Sequence, residues 1–275
     1  MEEMERERVR GASWYLEKAL ELLANSPDPL AAAERLKGVR RGMAVLDFVY
    51  LVLREASGRG LDLGAATAAL RAYADGAKRR LDQVLASVQC PRAVATLSFS
   101  RAVYRFVQIH AGCIKRLYLA ESRPGEEGAV AYAEYSKYVE VVPIPDSAVA
   151  AVKYDAAVVG LDGLYLDYAV NKVGTLPLFA SAKARGATTI VVFESYKAVP
   201  LNAPDPATVE AEVFGRRVEV PLFDKVPHSL VDLFVTDLGT SREAKPAEVF
   251  NKALMYIFKL VDNTRVLPRG GGLGV

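Results

Sequence analysis

The feature that most constrains this chain is a run of four small apolar residues, Ala156, Ala157, Val158 and Val159, closed by Gly160 and followed at once by Asp162. An apolar run with no polar alternation suits a strand covered on both faces, as in a parallel sheet flanked by helices. Ligands of open α/β sheets bind beyond the carboxyl ends of the strands, so Asp162 stands where chemistry is usually done. Asn171 and Lys172 then precede Gly174-Thr175, and Thr175 is expected to cap an apolar helix over 176–184. A carboxylate, an amide, an ammonium and a helix N-terminus close together would suit a phosphorylated ligand. The plainer reading, a strand, a polar loop and a capped helix, explains the spacing equally well.

The rest of the chain agrees with such a sheet. After Pro91, short apolar runs near 93–97, 116–120, 138–142, 156–160, 188–193 and 231–235 read as strands. Helices are expected near 100–111, 127–136, 146–153, 175–184 and 246–260, with Asp146-Ser147 capping the third of them. Residues 1–88 read as four helices in succession, punctuated by Asn25-Ser26-Pro27 and Gly58-Arg59-Gly60. The expected fold class is α/β. An N-terminal helical bundle over 1–88 is followed by a parallel-sheet domain over 89–275, whose tail from Pro268 is loose.

Composition excludes several function classes. The 35 basic and 33 acidic residues leave a formal charge of +2, too balanced to argue for nucleic-acid binding. No apolar run reaches the length of a membrane span, and the charged start MEEMERER is not a signal peptide. Cys90 and Cys113 are the only cysteines, so no disulfide framework is implied and a reducing cytoplasm is the default. Five Asn, three Gln and four Met are few, which points to a thermophile. No Cys/His cluster has metal spacing and no P-loop or GxGxxG occurs, so neither a metal nor a cofactor is expected.

Several element ends carry side chains that could do more than fold. Arg10-Gly11-Ala12-Ser13 and Arg40-Arg41-Gly42 each place arginine before an apolar helix, where a helix start with solvated arginines is the simpler reading. Thr96-Leu97-Ser98-Phe99-Ser100-Arg101 leads from a strand into a helix and could cradle an anion or merely cap that helix. Arg123 in Glu121-Ser122-Arg123-Pro124 and Lys197 in Glu194-Ser195-Tyr196-Lys197 are strand-end cations, suited to phosphate or to solvent. Asp237 is as suited to capping a turn as to function. His110 reads as a satisfied core residue, and His228 has no evident partner.

Together these motifs resemble the family that joins the regulatory subunits of translation initiation factor 2B to two sugar-phosphate isomerases, those of methylthioribose 1-phosphate and ribose 1,5-bisphosphate. The family's Gly-x-Asp strand end and Asn-Lys-(Ile/Val)-Gly-Thr are matched by Gly160-Leu161-Asp162 and Asn171-Lys172-Val173-Gly174-Thr175. Arg10-Gly11-Ala12, Glu121-Ser122-Arg123-Pro124, Phe223-Asp224-x-x-Pro227 and Thr236-Asp237-Leu238-Gly239 match further motifs, while Arg41 matches its arginine only approximately. Asp167-Tyr168-Ala169 departs from the family's Asn-Gly-Gly-like loop.

The resemblance implies a Rossmann-like second domain, a ligand held between the domains, and pairing as a homodimer or hexamer. The surface tyrosines expected to serve that pairing include Tyr165 and Tyr168. It implies a phosphorylated small molecule, a pentose phosphate or nucleoside monophosphate, bound by Arg10, Gly11, Ala12, Arg41, Ser100, Arg101, Arg123, Asn171, Lys172 and Lys197. An initiation factor 2 subunit is the implied protein partner. The isomerases use a cysteine in Thr-His-Cys-Asn together with the strand-end aspartate, here Asp162. Leu97 and Ser98 replace that histidine and cysteine, whereas Ser100-Arg101 is of the alpha regulatory type. A serine hydroxyl without a base cannot readily carry the proton a thiolate carries. The expectation is therefore an archaeal, alpha-type regulatory protein that binds its ligand without efficient catalysis. Asp162 keeps the aldose–ketose isomerase alternative open, because alpha-type subunits often have Glu there.

Overall fold

The computed structural model describes residues 2–7 and 11–266. Five helices come first: α1 (Glu2–Arg6), α2 (Ala12–Ala24), α3 (Pro29–Leu36), α4 (Ala44–Gly58) and α5 (Leu63–Leu85). Asp28 and Asp62 cap α3 and α5, each accepting from the amide three residues on, at 3.0 and 2.7 Å. The apolar faces of α2 to α5 meet in one core around Tyr15, Phe48 and Tyr73. The last helix, α9 (Pro246–Val266), adds Phe250, Ile257 and Val261 to that core.

Beyond residue 92 the strands are β1 (Ala93–Thr96), β2 (Arg116–Ala120), β3 (Val141–Ile144), β4 (Ala156–Gly160), β5 (Gly163–Leu164), β6 (Tyr168–Lys172), β7 (Thr188–Phe193), β8 (Thr208–Val213), β9 (Arg216–Pro221), β10 (Phe223–Pro227), β11 (Leu233–Thr236) and β12 (Gly239–Ser241). Three helices lie among them: α6 (Arg101–Ile109), α7 (Glu127–Tyr135) and α8 (Thr175–Ala184). Seven strands form the main sheet in the order β3-β2-β1-β4-β7-β11-β12, parallel except for β12. Its six parallel strands thus follow the doubly wound order in which two halves diverge from β1 and β4. As expected of a central strand, all five residues of β4 are buried. One face of the sheet packs on α8 around Phe179 and Phe193, the other on α6 and α7 around Phe106 and Tyr135.

Several expectations change. The strand expected at 138–142 runs from Val141 to Ile144, because residues 136–138 form the turn that ends α7. The helix expected at 146–153 is a 3-10 turn over Asp146–Ala150. Asp146 does not cap it; its carboxylate accepts from the amides of Ser122 and Arg123 at 2.7 and 2.8 Å. Antiparallel β5, β6 and β10 form a separate small sheet, and β8 and β9 form a hairpin.

Cys90 and Cys113 form a disulfide with the Cα atoms 6.5 Å apart, where the sequence implied no disulfide framework. Strand register explains it. Ala93 pairs with Arg116 across β1 and β2, so residues three before each are neighbours at the same sheet edge. Tyr165, expected at an oligomer surface, is fully buried with its hydroxyl 3.4 Å from Asp47; Tyr168 is half-buried. Among the described residues, no helix is long and apolar enough to cross a membrane.

Candidate functional site

The turns after β1 and β4, where the sheet diverges, border a cleft of about 670 Å³ closed on its other side by α2 and the turn before α4. Its walls include Ala12, Ser13, Trp14, Arg40, Ser98, Phe99, Ser100, Arg101, Glu127, Asp162, Asn171 and Lys197. A cleft of this size and polarity suits a small polar ligand. The sheet must come very close here. A side chain at Gly160 would collide with the Ser100 hydroxyl, which fits glycine at the end of β4. Ser100 caps α6, accepting from the Val103 amide at 3.5 Å, so the positive end of that helix opens at the cleft.

Asp162 lies at the centre, half-buried, its backbone carbonyl accepting from the Ala44 amide at 3.0 Å. Burial pushes its carboxyl above the ordinary range. The charges of Lys197, Arg40 and Lys172 and the Ala12 amide pull the other way without cancelling that rise. Ala12 is the first residue of α2, so the carboxylate also sits at a helix N-terminus. Asp162 can therefore hold or release a proton nearer neutrality than a free carboxyl. It equally ties the helical bundle to the sheet.

The expected cations separate into three groups. Lys197 lines the cleft, buried, with its ammonium 2.9 Å from Glu194. Burial alone would raise the Glu194 carboxyl, yet Lys197 outweighs it and the carboxyl lies below its usual range. Arg101 lines the rim and pairs with Glu17 at 3.1 Å. Lys172 does not line the cleft. It is buried against Glu127, at 3.1 and 3.2 Å from the two carboxylate oxygens, and against the Pro124 carbonyl. Arg123, expected to contact phosphate, is exposed beside Glu121 and is not among the residues lining the cleft. Arg41 is also exposed; its neighbour Arg40 is the buried one, with a guanidinium nitrogen 3.2 Å from the Glu7 carbonyl. Arg10 lies outside the described residues, while Gly11 and Ala12 line the cleft.

Thr175 is not the cap expected of it. It is the first residue of α8, and its hydroxyl donates back to the Lys172 carbonyl at 2.6 Å and accepts from Asn171 at 2.9 Å. The cap position is Gly174, at φ 103°, and the helix amides are served by Asp224 of β10, which accepts from Gly174 and Leu176 at 2.8 Å each. The anion seat expected at this helix start is thus filled by the protein's own carboxylate.

No thiol or imidazole lines the cleft. Both cysteines are bonded at the opposite edge of the sheet. His110 is the core residue expected, its Nε2 3.1 Å from the Leu85 carbonyl, and His228 packs edge-on against Phe234. Among the described residues, no three His, Cys, Asp or Glu side chains are grouped to hold a metal ion. Sequence reasoning missed Trp14, Glu17 and Glu127, and of the Arg40-Arg41 pair it took Arg41 where Arg40 lines the cleft. Of the three, Glu127 carried a signal, as an acidic residue opening α7 one position before the buried Gly128.

Residues 82–242 match the model of the initiation factor 2 subunit family. A translation initiation factor eIF-2B subunit 2-like protein of Pyrococcus furiosus is 29% identical over 259 residues, 87% of this chain and 94% of that protein. Ribose 1,5-bisphosphate isomerase of Thermococcus kodakarensis is 30% identical over 145 residues, 45% of this chain and 44% of the enzyme. The crystal structure of translation initiation factor eIF-2B from Pyrococcus horikoshii OT3 superposes with a TM-score of 0.76 at 26% identity, covering 90% of this chain and 96% of that one. The 5-methylthioribose 1-phosphate isomerase of the same organism shares the fold, with a TM-score of 0.65 at 23% identity over 94% of this chain and 86% of that one. The match spans the whole switch-point architecture, from the end of α5 through β12, and so the chain belongs to the initiation factor 2 subunit family.

Proposed function

We propose that the chain is an initiation-factor-2B-like regulatory protein that holds a phosphorylated small molecule in the cleft between α2 and the sheet without turning it over. The observation that carries this reading is the hydroxyl of Ser98 at the cleft wall, with no thiol or imidazole among the lining residues. Aldose–ketose isomerisation needs a proton carrier on each side of the reacting carbons. Asp162 supplies one, and the Ser98 hydroxyl, unlike a thiol, is a poor second unless a base activates it. Lys197, Arg40 and the start of α6 provide positive potential for a phosphate.

The relatives matched over nearly their whole length bear initiation-factor names. Those names say subunit 2-like, whereas Ser100-Arg101 and Glu194–Lys197 resemble the alpha type. The reading rests on the regulatory class common to both. It takes a second copy of the chain and an initiation factor 2 subunit as protein partners.

A thermal-shift titration with ribose 5-phosphate and with AMP tests the binding. A ligand at a hundred times its dissociation constant adds about 2.7 kcal/mol of apparent stability. We expect a shift with at least one of them, lost when Lys197→Met is combined with Glu194→Gln so that no buried charge is left alone. Indifference of the wild type to both would overturn the reading.

A further inference from the structure

We propose that the outer edge of β9 is an interaction surface for a second copy of this chain. The two β9 strands pair antiparallel about Val218, each Arg217 opposite the other copy's Glu219, and the two hairpins become one continuous sheet. This names a surface for the second-copy partner proposed above and rests on that part of the reading, independently of the ligand. β8 and β9 form a sheet of their own, closed by a tight turn at Phe214-Gly215 with φ of 52° and 73°. Among the described residues no third strand joins them. A two-stranded sheet is marginal in water by itself. Arg216, Arg217, Val218 and Glu219 are all exposed, and Phe214 at the tip is wholly so. Glu210 stands directly opposite Glu219, a like-charge pair that costs stability, and among the described residues neither carboxylate forms an ion pair.

The ladder fixes which groups of β9 face outward. Leu222, just after β9, donates to the Ala207 carbonyl across the hairpin at 2.8 Å. At every second position back along the strand, Val220, Val218 and Arg216, the backbone therefore points at β8. The N–H and C=O groups of Arg217 and Glu219 point away from it. An edge is ordinarily blunted by charge or proline, and this one carries both. Its charges alternate in sign, however, and so select a register instead of forbidding all of them. Two-fold pairing about Arg217 or about Glu219 sets like charges opposite each other. Pairing about Val220 brings in Pro221, which has no N–H to give. Pairing about Val218 places each Arg217 opposite a Glu219 and leaves neither residue's amide without a carbonyl. It also sets a cation beside Glu219 and continues the face of Val209, Ala211, Val218 and Val220 into the second copy.

Sedimentation and light scattering of the full chain, as wild type and as charge-reversal variants, test this. Arg217→Glu or Glu219→Arg alone sets like charges opposite each other at both crossings and should weaken self-association by at least about tenfold. Combining the two restores opposite charges across the two-fold and should bring association back towards the wild-type value. The combination leaves each hairpin with one like and one opposite cross-strand pair, as in the wild type. An oxidised Val218→Cys variant should cross-link two copies, since residues facing each other in a non-hydrogen-bonded pair lie about 4.5 Å apart at Cα, within reach of a disulfide. Phe214→Cys, at the exposed tip, should cross-link far more slowly. Reversals that leave self-association unchanged, or Val218→Cys that cross-links no faster than Phe214→Cys, would overturn the pairing. Should a reversal unfold the hairpin, the cross-link decides. A wild type that stays monomeric overturns the pairing together with the second-copy partner. Failure to bind ribose 5-phosphate and AMP would overturn the ligand reading and leave the pairing standing.

Discussion

Single carboxylates in this chain do structural and electrostatic duty at once, and their surroundings decide which prevails. Asp47, in the first turn of α4, has its carboxyl pushed up to about 6 by burial, against the pull of Lys37 and the Tyr165 hydroxyl. The folded chain therefore takes up this proton at a higher pH than the unfolded chain, which does so near 3.8. Between those values the native state binds more protons, so the Asp47 contribution to stability is largest in acid and is lost as pH rises through the window. Asp47→Asn should accordingly gain on the wild type in denaturant midpoint as pH goes from 4 to 7. A difference that stays flat over that range would contradict the burial of a charged Asp47. Asp162 is raised by the same cause, but three nearby cations make it a residue that a bound anion would re-tune.

Elements are pinned by a few buried pairs rather than by the many ion pairs on the surface. Arg80 of α5 reaches Asp237, after β11, at 2.7 Å, and Asp237 also accepts from the Ser195 amide at 2.6 Å. The Asp237 side chain is wholly buried, so Arg80→Ala would strand its charge and should cost about 3–5 kcal/mol in chemical denaturation. Arg101→Ala, which breaks a pair with both side chains nearly half exposed, should cost no more than about 1 kcal/mol. Equal losses for the two variants would show that burial does not set the difference.

Element boundaries were legible wherever an apolar run met a breaker. Gly160 closes β4, Gly174 and Gly186 bracket α8, and Cys90-Pro91 separates α5 from β1. The hairpin of β8 and β9 was also written in the sequence, as Val and Ala alternating with Glu on either side of Phe214-Gly215. Its low apolar content hides it beside the buried strands. In the cleft, the strand-end residues Ser98, Asp162 and Lys197 were legible because topology alone brings strand ends together. The pairings of Lys172 with Glu127 and of α8 with Asp224 were not, since each joins residues at least 45 positions apart through contacts that no local pattern encodes.

The molecule as a whole reads as a ligand-binding scaffold whose positive sites are largely answered from within. Lys172, Lys197, Arg80 and the start of α8 each face a carboxylate of the same chain. What remains between the bundle and the sheet is a cleft lined by a protonatable Asp162 and the Ser98 hydroxyl. On the function proposed above, such a cleft binds and positions a sugar phosphate without a thiol partner for Asp162; one proton carrier typically contributes about 10²–10⁴-fold in rate. The most direct measurement is an NMR time course of the purified wild type with methylthioribose 1-phosphate and with ribose 1,5-bisphosphate. Line broadening of at least one of the two sugars without conversion of either is the predicted result. Turnover at the roughly 1–10³ s⁻¹ of ordinary enzymes, abolished by Asp162→Asn, would contradict it and make the chain an isomerase.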